Sequence, residues 1–471
     1  MEISYAGGNG TGALYVAGDV YADNLDISDS DANGVYVTSA GELILTDSTV
    51  QDSADSGLYV LGSLGAAGNF SGNTVTTSGD YGVEIYPYYA SALNSDSAYT
   101  GNGDDLINLL SGRVYQDDTW QALDVPYQVS YDLKVTGVPA PELTLEDGVE
   151  IVVLRGVEFY VGIANSTNGG SLVVDGTSTG VSISSGESSP AAGDWVGLRI
   201  GNYGELDAEG LTLSEGGSDG EGCLILESGG EVQLDSSDIS DCTGDGINGI
   251  DGGTLYLSNT TIDAASDYAV SAHTIASWST NTLSGSGYSM LTYAGQLDEL
   301  DTGSTFTGNT LDYIYVDGGT FANGANVPAL DADYWVTSTV KMGSHAAGVT
   351  IEAGSTWYHD PGVWWDLDSA SFTFEGTATS PIILTSSQSV PAAGDWQGIK
   401  MDFNGDLEMN YTEVRYAGAT LAGAIYCYYS TAVLDHVTIE DSSSYGFFDD
   451  SWCSATLTNM TYSNNASGDT N

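Results

Sequence analysis

Positive charge is nearly missing from this chain. Its 471 residues carry seven Lys+Arg against 65 Asp+Glu, a formal net charge of -58. Binding phosphates takes clustered Lys and Arg, so nucleic acid and anionic membranes are poor partners. Polyuronates are repelled as well unless divalent cations bridge the like charges. So few cations cannot satisfy the carboxylates through salt bridges, which leaves water, counter-ions or bound metal to face them. Long apolar runs are missing too: no stretch of 18 apolar residues exists, so nothing spans a membrane as a helix. Met1 is followed directly by strand-like sequence, without a basic and then apolar leader. The four histidines, His273, His345, His359 and His436, lie far apart without ligand spacing and are expected in turns or on the surface. The four cysteines form two local pairs, Cys223 with Cys242 and Cys427 with Cys453, each close in sequence and outside any CxxC or Cys/His pattern. They fit two disulfides in an extracellular setting, with free buried thiols as the alternative.

What is abundant is glycine and β-forming residues. Sixty-two Gly and 30 Tyr, with many Ser, Thr, Val and Leu and only nine Pro, describe short strands parted by polar turns. The glycines recur. Gly12, Gly34 and Gly57 open the runs Ala13-Leu14-Tyr15-Val16, Val35-Tyr36-Val37 and Leu58-Tyr59-Val60, Gly82 opens Val83-Glu84-Ile85, and the four follow one another at nearly constant spacing. Gly222 and Gly246, and again Gly423 and Gly446, keep the same interval. Seven residues before them stand Tyr5, Ile27, Val50, Val75, Ile239, Tyr416 and Ile439. Alternating segments such as Glu42–Val50 and Glu231–Ile239 fill the intervals. A unit of about 23 residues, in the range of solenoid repeats, cannot enclose a core alone. Stacked at about 4.8 Å, successive units pair their strands in parallel and align inward Val, Ile and Leu in columns. The fold expected is a parallel β-helix, right-handed by the usual chirality of parallel crossovers.

A longer period overlies the short one. Pro190–Ile200 (PAAGDWVGLRI) returns as Pro391–Met401 (PAAGDWQGIKM), and Ala122–Val129 is answered by Ala329–Val336. Glu2–Val16 matches Glu413–Cys427 without a gap. The reading is a long repeated module: residues 1–121 end one copy, 122–328 form a complete copy, and 329–471 begin the next. A chain that starts and stops inside modules reads as a piece of a longer tandem array. The repeated phrase is then punctuation rather than an active site. Its Pro and Gly shape a turn, and its Trp is expected to fold over the edge of the column.

The segment Gly348–Ile399 (GVTIEAGSTWYHDPG through FEGTATSPIILTSSQSVPAAGDWQGI) resembles the opening part of secreted prokaryotic right-handed β-helix repeat proteins, within the pectate-lyase-like superfold. The complete module departs from that pattern at Gly176–Ser184, where the pattern's Pro is missing. Lyases, glycosidases, adhesins and surface-layer components share the architecture, so the resemblance implies the fold and an extracellular or cell-surface setting, not one activity.

Three kinds of residue are candidates for chemistry. The cations Arg113, Lys134, Arg155, Arg199, Lys341, Lys400 and Arg415 look scattered, with no two evident in adjacent rungs beside an acidic nest, which argues against a lyase. Corner aspartates could stack: Asp29 and Asp52 lie five residues before their glycines, Asp55 and Asp80 two before, and oxygen-only coordination would suit Ca²⁺. Otherwise they are hydrated turn residues. Aromatics exceed what inward columns need. Tyr86, Tyr88, Tyr89, Trp364, Trp365, Tyr426, Tyr428 and Tyr429 could stack on surface glycans or on neighbouring copies of the chain. The function expected is a non-enzymatic extracellular structural or adhesive rod, such as a stalk, adhesin or surface-fibre component. A polysaccharide lyase, glycoside hydrolase or lectin-like glycan binder is the alternative.

Overall fold

The computed structural model describes residues 1–8, 10–65, 68–163, 168–342 and 348–471; His345 lies outside them. Two compact units are distinguished, Met1–Asp267 and Tyr268–Asn471. Each is a parallel β-solenoid, with rungs about 24 residues apart. Apart from two short 3-10 helices, regular structure among the described residues is strand, and every ladder is parallel.

In the first unit the inward columns begin with aliphatics. Val35 pairs with Leu58 and Leu58 with Val83, all fully buried. Further along the same strands, Val37, Val60 and Ile85 form a second buried line. Ile27, Val50 and Val75 make a column on another face. The corner glycines follow from this last column. A Cβ built at Gly34 would lie 2.4 Å from Val50 Cγ1, and one at Gly57 would lie 2.3 Å from Val75 Cγ1. Val50 and Val75, each seven places before a glycine, therefore pack onto the glycine of the preceding rung, in space a side chain would occupy.

The expected alignment of glycines is off by one residue in three rungs. Gly12 pairs with Asn33, Gly222 with Asp245 and Gly423 with Tyr445, so Leu14 rather than Ala13 meets Val35. In these same rungs the columns are filled by Ile3, Leu213 and Val414, opposite Ile27, Ile239 and Ile439. Tyr5 and Tyr416 instead take left-handed backbone angles, φ 55° and 60°, and Tyr5 is 84% exposed. Burial parity decides this: a one-residue slip would turn every inward side chain to solvent.

In the second unit the columns are wider. Ile314, Tyr334, Trp357, Leu384, Val414 and Ile439 stack in register, all fully buried, with the Tyr334 and Trp357 rings near parallel at 4.2 Å. Each unit also contains one 3-10 helix, Pro87–Ala92 in the first and Ala294–Glu299 in the second. Each helix follows a strand whose register slips, at Tyr81/Val83 and at Tyr288/Met290, so slip and helix recur together in the two units.

Leu58 touches column partners above and below. Leu58→Ala is expected to cost about 2–5 kcal/mol in urea unfolding, whereas Tyr59→Ala, on the outer face, should cost under about 1 kcal/mol. Equal losses would contradict the inward assignment.

Candidate functional site

The repeated Pro-Ala-Ala-Gly-Asp-Trp phrase is built as an internal clamp. Asp194 is buried and accepts hydrogen bonds from the Ala191 amide (2.9 Å) and the Ser185 hydroxyl (2.8 Å), while the Arg155 guanidinium reaches it at 2.5 Å. Burial alone would raise its pKa; the donors and Arg155 outweigh burial and hold it below the ordinary carboxylate range. Asp395 repeats the geometry with Ala392 (2.8 Å) and Ser386 (2.6 Å). The tryptophans do not fold over an edge, as expected from sequence. Trp195 and Trp396 are fully buried, and their indole N–H groups donate to the carbonyls of Ser214 (2.8 Å) and Arg415 (2.7 Å). Both side chains are engaged in holding the turn closed.

His359 is also internal, against the surface position expected for the histidines. Its Nδ1 lies 2.9 Å from the Thr385 carbonyl, its Nε2 accepts from Trp365 Nε1 at 2.6 Å, and its ring stacks on Trp396 at 4.0 Å. Burial pushes its pKa down to about 3. Trp365 is thereby withdrawn from the candidate contact surface. It is fully buried, packed between His359 and Phe372, while its neighbour Trp364 is half-buried and faces outward. Alternation along a strand sends only one of two adjacent tryptophans to each face.

Asp29, Asp52, Asp55 and Asp80 are all exposed. Asp29 and Asp52 hold left-handed corners at φ 53°, and the same corner is filled by Thr77 and Ala264 at φ 53° and 56°. Asp tolerates that conformation better than most residues, which explains the recurrence at the backbone level. Among the described residues no group of three His, Cys, Asp or Glu side chains is placed to hold a metal.

The remaining aromatics form two clusters, one in each unit. In the first, Tyr86, Tyr88 and Tyr89 gather around the start of the 3-10 helix with Tyr115, at ring separations of 4.4 to 5.4 Å. In the second, Tyr426 donates to Asp450 at 2.7 Å and stacks on Phe448, while Tyr428 and Tyr429 meet edge to face at 4.5 Å. Tyr429 extends into a ladder that sequence reading missed: Phe403, Tyr429 and Trp452 stack one rung apart at 6.1 and 6.0 Å. These three rings are 52%, 42% and 75% exposed. All three sit at positive φ, 47°, 48° and 71°. A bulky residue there costs on the order of 1 kcal/mol or more. At the turns of the first unit that correspond to Tyr429 and Trp452, Gly229 and Gly252 take φ 81° and 93° at no such cost. The turn corresponding to Phe403 keeps an aromatic, Tyr203 at φ 56°. The disulfide Cys427–Cys453 ties down the strand before Tyr429 to the residue after Trp452; the other joins Cys223 to Cys242. Both local pairs expected from sequence are therefore formed, and they point to an oxidising compartment. The recurrence of Phe403, Tyr429 and Trp452 at close to one rung each was the available signal.

The cations are not scattered. Arg113, Lys134, Tyr160 and Arg199 share one outward row of the first unit, each directly opposite the next. In the second unit Thr320, Lys341, Asp366 and Lys400 form a row in the same way. Five of the seven cations thus lie on these two rows. Arg199 is ringed by Glu158 (2.5 Å), Glu221 (2.8 Å), Asp219 (3.3 Å) and Glu227 (3.3 Å). Burial opposes its charge, but Glu158 and Glu221 override that and raise its pKa. Lys400 pairs with Asp402 at 2.5 Å.

Residues 3–120 match the family model of the right handed beta helix region. Over that stretch the solenoid is a right-handed β-helix. No curated protein matches the chain. No helix among the described residues is long and apolar enough to cross a membrane.

A buried neutral His359 makes stability depend on pH. Above about 6.5, its unfolded-state value, both states are neutral and its full contribution is present. Between 6.5 and about 3 the unfolded chain binds a proton that the native chain does not, so stability falls as pH falls. Urea titrations from pH 7 to 4 should show the wild type losing up to about 1.4 kcal/mol per pH unit more than His359→Gln. Parallel profiles would contradict a neutral, buried imidazole.

Proposed function

We propose that the chain is a non-enzymatic extracellular structural and adhesive β-helix whose contact surface is the aromatic ladder Phe403–Tyr429–Trp452, flanked by Tyr428. The observation that carries this reading is the exchange of turn residues between the two units. Positions that accept glycine without strain in one unit hold exposed Tyr and Trp in the other. Stacking among the rings offsets part of that strain, about 0.5–1.5 kcal/mol per aromatic pair. An adjacent disulfide restrains the same turns, so the rings are ordered before any partner arrives. Flat, pre-ordered aromatic faces suit the apolar faces of sugar rings, so surface glycans are the favoured partner. A neighbouring copy of the chain would meet the same rings. Corner aspartates Asp29, Asp52, Asp55 and Asp80 are the proposed place for Ca²⁺, if adhesion proves calcium-dependent.

A glycan array probed with the wild type and with Tyr429→Ala/Trp452→Ala, each with and without EDTA, tests the reading. Binding to neutral glycans should fall at least about tenfold in the double variant. Self-association lost in that variant, with no glycan signal, would move the contact to a second copy. Turnover of a polysaccharide, abolished by substituting a single carboxylate, would defeat the non-enzymatic reading.

A further inference from the structure

Two of the seven cations stand where electrostatics disfavours them. Arg113 and Lys134 are directly opposed on the adjacent parallel strands Gly112–Val114 and Leu133–Val135. Neighbouring strands lie about 4.8 Å apart, and like charges facing each other at that distance weaken a sheet. Neither forms an ion pair among the described residues, in a chain with 65 Asp+Glu. Arg199, further along the same row, takes four carboxylates for itself. Acids are therefore plentiful in this chain, yet among the described residues none closes an ion pair with Arg113 or Lys134. The Lys134 ammonium is positioned over the Tyr160 ring, 5.4 Å from its centroid, an attraction that leaves its charge unneutralised.

The pair borders a groove of about 570 Å³ whose lining includes Ser111, Arg113, Ser130, Tyr131, Asp132 and Lys134. That volume suits a ligand of one or two sugar rings. Tyr131 is 57% exposed and lines the groove. Asp132 offsets one of the two positive charges, so a single negative charge on a ligand would neutralise the groove. A polyanion would meet the surrounding coat of a chain with net charge -58. The second unit lacks the pair: Thr320 faces Lys341, and Lys341 faces Asp366.

We propose that this groove binds a saccharide bearing one acidic group, a carboxylate or a sulfate ester, with the anion between Arg113 and Lys134 and a ring face on Tyr131. The site is separate from the aromatic ladder and does not rest on the adhesive reading.

Calorimetric titration of the full chain tests it, using methyl β-glucuronide, methyl β-glucoside 6-sulfate, neutral methyl β-glucoside, sodium sulfate and polygalacturonate as probes. At least one of the two acidic glycosides should bind saturably, and the stronger of them names the acid. The neutral glycoside should bind at least about tenfold more weakly. Arg113→Gln and Lys134→Gln should each weaken binding about fivefold or more, with unchanged melting temperature, while Lys134→Arg retains it. Lys341→Gln removes the same charge elsewhere and should leave binding unchanged. The proposal is overturned if neither acidic glycoside binds, if the neutral glycoside binds equally, or if Lys341→Gln weakens binding as much as Lys134→Gln. It is also overturned if sulfate ion alone matches the glycosides, which would make this an adventitious anion site, or if polygalacturonate binds more tightly than both.

Discussion

An inward side chain resting on its counterpart one rung below is the contact on which everything else in this protein depends. Val35, Leu58 and Val83 illustrate it: a few carbons each, fully buried, at the spacing that parallel hydrogen bonding sets. Buried aliphatics of this kind contribute about 1.5–3 kcal/mol each, and the columns contain them rung after rung. Because register is shared among all residues of a strand, satisfying one column places every outward residue as well. The outer surface is thus an array fixed by the interior.

That coupling explains how a heavily acidic coat is tolerated. Outward carboxylates need no partners as long as they reach water, and period-2 alternation guarantees that they do. It also explains the strain borne at the corners. Turning the chain between faces requires left-handed residues, and Gly229, Gly252, Asp29, Asp52, Thr77 and Ala264 meet that demand in different rungs. Where Phe403, Tyr429 and Trp452 meet it instead, backbone preference has yielded to the surface they present.

The Pro-Ala-Ala-Gly-Asp-Trp phrase shows how repetition and function separate. A motif found at both Pro190 and Pro391 invites a catalytic reading, yet its carboxylate and its indole are both saturated by local donors and acceptors. Its recurrence reflects a turn that must be closed in each copy. The residues with bonding capacity left over, Arg113 and Lys134 or the Phe403 ladder, carry no motif at all.

Sequence alone determined the rung period, the parallel pairing, the identity of most inward residues and the locality of both disulfides, because each follows from short-range alternation and glycine spacing. A 3-10 helix preceded by a register slip recurs in the two units. Row membership was not readable. Arg113 and Lys134 are separated by close to one rung of sequence, but Tyr160 and Arg199 by far more, because loops of unequal length intervene. Counting cannot cross such loops, and only the stacked coordinates put those cations side by side. Parity had the same limit: two adjacent tryptophans, Trp364 and Trp365, offer either face until pairing of Trp365 with Ile399 turns one of them inward. Local chemistry specifies the rung; which distant side chains become neighbours is set by how rungs of unequal length are stacked.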